Sequence, residues 1–158
     1  MIQKPEARAA WMIEGVWILS SALIALLFLI PIWAYQVDYP FTGSNLLFIA
    51  GFVTFSRWLF LWKFTPYAWW KWFKAGLIFA MIPAVLIGIR LFYGFRTYLD
   101  EVGLQEFMGH LTPNEQHSLS LFIRSEMIFF GTAFILTAAC VPFKMVRSLW
   151  NQYNKNEV

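Results

Sequence analysis

The chain has 158 residues, of which 59% are apolar, 20% aromatic and only 13% charged, with a net charge of +3 and a mean hydropathy of +0.57. A soluble domain carries roughly 25% charged residues, so this composition excludes an ordinary water-soluble globule and points to a polytopic membrane protein. The cations cluster at the edges of apolar runs, which reads as topogenic charge and not as a nucleic-acid surface.

Residues 1–8 are polar and hold Lys4 and Arg8. The first apolar run, 9–35, is too long for the apolar region of a signal peptide, and no A-x-A site follows it. It is expected to be a retained transmembrane helix, bent or ended near Pro31. The loop 36–44, QVDYPFTGS, has no cation and is assigned to the outer side; Thr42 or Ser44 can cap the next helix, expected over 45–64.

The stretch Arg57–Lys74, RWLFLWKFTPYAWWKWFK, has four cations, six Trp or Tyr residues and no acid. Indole rings settle at headgroup level and Lys amines reach lipid phosphates. Trp62, Lys63, Trp69, Trp70, Lys71, Trp72 and Lys74 are therefore expected to form a lipid-headgroup interface on the cytoplasmic side. Thr65-Pro66 has the form of an N-cap followed by a first helical residue, which starts the third helix at 66. That helix enters the membrane near Ala75, is kinked by Pro83 and ends at about residue 100.

Residues 96–118 form an acid-rich outer cap in which 104–111 can make two amphipathic turns. Thr112-Pro113-Asn114-Glu115 has the form of a capping box, so the fourth helix is expected over 113–150, with a bend at Pro142. The expected fold is all-α: a single-domain integral membrane four-helix bundle of two helical hairpins, with a short helical extracytoplasmic cap. The cation excess puts both termini in the cytoplasm, with the chain in an inner (plasma) membrane of bacterial type.

Charges inside the apolar runs are the first candidates for function. A lone charge at the bilayer centre costs a few kcal/mol or more, so such groups face the bundle interior and pair. Glu14 and Arg57 lie at matched depth in the cytoplasmic half, and Arg90 and Glu126 at matched depth in the outer half. Helical spacing aligns Glu14 with Ile18, Ser21 and Ala25, and Arg57 with Thr54 and Ala50. It aligns Arg90 with Gly76, Ala80, Pro83 and Ile87, and Glu126 with Ala133, Thr137 and Cys140. Small residues favour membrane helix contacts, so each charge is expected on a packing face. Arg124, two residues from Glu126, points elsewhere. The two pairs either fix hairpin register or belong to a proton, ion or substrate path.

His110, His117 and Glu106 are weak metal-site candidates: Glu106 and His110 stand at i, i+4 and would share one helical face, but no third ligand lies at a fixed spacing from them. No cofactor motif is present, no catalytic residue is assigned, and the single Cys140 excludes an intrachain disulfide. Membrane lipid is the expected partner, together with another protein or a second copy of the chain. Three functions fit: an accessory or scaffold subunit acting by interaction, a small transporter or channel component using the Glu/Arg pairs, or a membrane-embedded enzyme with a His-containing outer cap.

Overall fold

The computed structural model of the chain describes residues 4–154, with side chains from residue 9 onward. Within that range the protein is all-helical. It has α1 (Lys4–Ala34), α2 (Thr42–Phe60), α3 (Lys71–Glu101) and α4 (Pro113–Asn154), plus 3-10 turns η1 (Trp62–Phe64) and η2 (Leu104–Met108). Lys4, Arg8 and Lys155, which enter the charge count, lie outside the described side chains.

α1, α3 and α4 are long and apolar enough to cross a membrane. α2 is 19 residues long, opens on Thr42, Gly43, Ser44 and Asn45, carries Arg57, and falls short of the same measure. Its position accounts for the lower hydropathy, because α2 is screened by neighbours along two sides. α4 is the centre of the molecule. It packs along α2 on one side and α3 on the other, while α2 and α3 barely touch. α1 rests mainly on α2 and touches α4 only lightly.

The α3–α4 contact follows from a 3-4 spacing. Lys74, Leu77, Met81, Gly88 and Phe95 are buried, and Ala84 and Leu91 complete the seam. On α4, Ile123, Met127, Phe130, Phe134, Ala138, Val141 and Met145 are buried between α3 and the other helices. Phe134 is clasped from both sides. A Cβ at Gly88 of α3 would lie 2.7 Å from its ring, and one at Gly51 of α2 would collide with it outright. Small residues thus let the backbones close onto one aromatic ring.

The expected packing stripe on α3 is wrong. Gly76, Ala80, Pro83, Ile87 and Arg90 are all exposed. Gly88 faces α4, and Arg90, two residues on, is turned about 200° around the helix at roughly 3.6 residues per turn. Cys140 is likewise exposed, and so is Ile18.

The helix limits also differ in part from expectation. Pro31, Pro83 and Pro142 all lie inside continuous helices. α2 begins at Thr42 without a side-chain cap; the Thr42 hydroxyl donates back to the Tyr39 carbonyl at 2.8 Å. Thr65-Pro66 does not start α3. Thr65 is extended, its hydroxyl donates to the Trp62 carbonyl at 2.8 Å, and turns occupy the chain until Lys71. The capping box at α4 forms in part: Glu115 Oε2 accepts from the Thr112 backbone N–H at 2.9 Å and from its hydroxyl at 2.7 Å. At 42 residues, α4 is about 63 Å long, roughly twice the hydrocarbon thickness of a bilayer.

Candidate functional site

Two buried charge centres lie at opposite ends of the helices; they are called inner and outer after the topology expected from the sequence, as names only. The inner one joins α1, α2 and the turn that follows. Arg57 Nη2 donates to Glu14 Oε2 in an ion pair whose side chains are 4% and 15% exposed. Tyr67 Oη donates to the other carboxylate oxygen, Glu14 Oε1, at 3.0 Å, and accepts from Trp58 Nε1 at 3.1 Å. Burial pushes the Tyr67 phenol above its ordinary range, so it stays protonated and able to donate. The Arg57 guanidinium also lies 5.8 Å from the Trp17 ring centroid, within cation–π range.

This network explains the late start of α3. Tyr67 turns toward Glu14, Ala68 is buried beneath it, and the chain becomes helical only after Trp70. The expected Glu14–Arg57 pair is present. Its partners Tyr67, Trp58 and Trp17 were not foreseen, because the same aromatic residues also suit a headgroup belt. Above the pair, α1 and α2 enclose a groove of about 410 Å³ whose walls are apolar apart from Ser21 and Thr54 and whose inner end is Glu14, Arg57 and Tyr67.

The outer centre differs. Glu126 is buried on α4 beside Asn45 of α2, which is fully buried, and near the buried Tyr39 of the 35–41 loop. Neither Glu126 oxygen, neither Asn45 side-chain atom nor the Tyr39 hydroxyl has a hydrogen-bond partner of good geometry. Arg90 is not there. The expected Arg90–Glu126 pair does not form, and the ion pairs among the described residues are Glu14–Arg57 and the exposed Arg96–Asp100. Asn45 and Tyr39 were missed as neighbours of Glu126; an Asn at the start of an apolar run was the available signal.

Aromatic packing separates the two centres. Between the levels of Asn45 and Arg57, the Phe48 and Phe134 rings lie 5.5 Å apart and the Phe52 and Phe130 rings 6.0 Å apart. Phe28 of α1 meets Phe130 edge-on at 4.8 Å. Thr54 and Thr137 do not supply a polar path, because each hydroxyl is bonded to its own helix at 2.7 Å.

His110 and Glu106, metal-site candidates by sequence, instead hold the 96–118 cap. His110 Nε2 lies 2.9 Å from the Tyr35 carbonyl at the end of α1, and Glu106 accepts from Tyr98 Oη at 2.7 Å. His117 is exposed on α4. η2 is a 3-10 turn ending at Met108, so Glu106 and His110 do not share an α-helical face. Among the described residues no three His, Cys, Asp or Glu side chains gather as a metal-binding group.

The expected headgroup interface is split. Lys63, Trp69, Trp70 and Trp72 are exposed, and Lys71 lies over the Tyr153 ring at 4.1 Å. Trp62 and Lys74 are instead buried, Trp62 stacked on Phe73 and Lys74 Nζ donating to Gln152 Oε1 at 2.8 Å. Both occupy the seam where the turn meets the end of α4. No family model, curated protein or solved structure matches this chain.

Proposed function

We propose that the protein is a four-crossing inner-membrane protein, with both termini cytoplasmic, that works by interaction as an accessory or scaffold subunit. The observation that carries this reading is the aromatic packing of α2 against α4 between the two charge centres; the groove between α1 and α2 at the same level has apolar walls apart from Ser21 and Thr54. Transport needs a polar or hydrated route along the bilayer normal, and the Phe48, Phe52, Phe130 and Phe134 rings occupy that level. A closely packed, glycine-clasped core is instead suited to holding surfaces in fixed relation. The acidic outer cap and the Trp-rich inner turn are the contact surfaces, for a protein partner or a second copy.

α2 crosses sheltered by α1 and α4, and the cations of the inner turn and of the end of α4 lie at the cytoplasmic edge. The test is purification in mild detergent, followed by cross-linking and mass determination. The reading expects a defined oligomer or hetero-complex; recovery of monomer and lipid alone sinks it.

One observation favours a second reading as a carrier component: Glu126 is a buried carboxylate with no cation beside it. That reading expects Glu126→Gln to abolish a proton- or anion-coupled flux in proteoliposomes while leaving the fold intact. Equal flux in wild type and variant ends it.

A further inference from the structure

We propose that the groove between η1 and the last turns of α4 binds the phosphate of an anionic phospholipid headgroup. Two adjoining cavities of about 400 and 470 Å³ open there, and both are lined by Trp62, Lys63, Ser148 and Asn151. Lys74 completes one, and Lys144 and Arg147 complete the other. Among the described residues no carboxylate lines either cavity. None of these four cations takes part in an ion pair with a described acidic side chain.

Two buried groups add to the charge count. Lys74 is only 3% exposed, and its hydrogen-bond acceptor is the neutral amide of Gln152, which leaves its charge uncompensated. Trp62 is 5% exposed, and its buried indole Nε1, a donor only, has no acceptor. A group that brings several acceptor oxygens and negative charge answers both needs, and phosphate does so with charge-assisted hydrogen bonds. The Ser148 hydroxyl and Asn151 amide add neutral donors on the α4 side.

A lipid is favoured over a free anion by what surrounds the groove. Phe60 and Trp69 line its two ends, and both are exposed. Such a rim suits the glycerol and upper acyl chain of a bilayer lipid, with the cations gathered at headgroup level. The proposal rests on this end lying at the membrane surface.

The experiment uses the full chain in nanodiscs and in detergent, with retained lipids counted by native mass spectrometry. Phosphatidylglycerol and phosphatidylcholine are the probes, and inorganic phosphate is the competitor. Phosphatidylglycerol is expected to be retained over phosphatidylcholine. Lys63→Gln should weaken retention about fivefold, and Lys144→Gln/Arg147→Gln about 25-fold, at roughly fivefold per cation. Arg124→Gln, which removes an exposed cation in the N-terminal third of α4, should change nothing.

Equal retention of the two lipids, or an equal loss in Arg124→Gln, overturns the site. Displacement of phosphatidylglycerol by millimolar phosphate overturns the lipid as its occupant. Should the chain enter nanodiscs without preferring phosphatidylglycerol, the site fails while the membrane reading stands. Failure to enter a bilayer at all removes the reading on which the proposal rests.

Discussion

The inner and outer charge centres present the same problem in two ways. At the inner end, a buried cation meets a carboxylate that is also held by a tyrosine, and three chain segments converge on one Glu. At the outer end, a buried carboxylate meets an amide and a phenol, while the arginine at matching depth points away from the core. Equal depth and opposite sign are necessary for an intramembrane ion pair, but they are not sufficient. The face of the helix decides, and on α3 that face was claimed by Leu77, Met81 and Gly88. An Arg excluded from the core can still extend its guanidinium along the helix toward the interface.

The contrast can be broken most directly at Glu14. Glu14→Leu leaves Arg57 buried without its counter-ion and should cost about 3–5 kcal/mol, read from unfolding in mixed micelles. Adding Arg57→Met should recover most of that loss, whereas a double variant as unstable as the single one would mean the ion pair is not what holds α1. Tyr67→Phe sharpens the same end. It removes one hydrogen bond to a charged acceptor and leaves Trp58 Nε1 unpaired, for a loss of about 1.5–3 kcal/mol in the same assay.

The smallest effect belongs to the outer end. Glu126→Gln keeps the shape and strands no cation, so stability should change by less than about 1 kcal/mol. A double-mutant cycle of Glu126→Gln with Arg90→Gln should give a coupling below about 0.5 kcal/mol, against a value well above that for Glu14 with Arg57. A large Arg90–Glu126 coupling would erase the distinction between the two centres.

The contrast also marks what the sequence could express. Helix existence, the Thr112–Glu115 box and the Glu14–Arg57 pair were legible because each depends on local spacing or on one strong electrostatic demand. The packing face of α3 was not. Gly76, Ala80 and Pro83 look like an interface by size, yet Gly88 alone meets a partner ring, and it shares its seam with larger residues. The central position of α4 was also hidden, because hairpin adjacency suggests that α2 and α3 should touch across their turn. The start of α3 was misplaced for a tertiary reason: Tyr67 is held by Glu14, 53 residues earlier in the chain, and that contact outweighs the local preference of Thr65-Pro66 for a helix start.

Phe134 has a mechanical consequence. Because Gly51 and Gly88 receive its ring from opposite sides, α2, α3 and α4 are keyed to one another at a single height. Sliding any of them by one helical turn, about 5.4 Å, would press the ring against backbone that carries larger side chains. These three helices are therefore fixed in height against one another, whereas α1 is held by the Glu14–Arg57 pair at one end and by Phe28 against Phe130 further along.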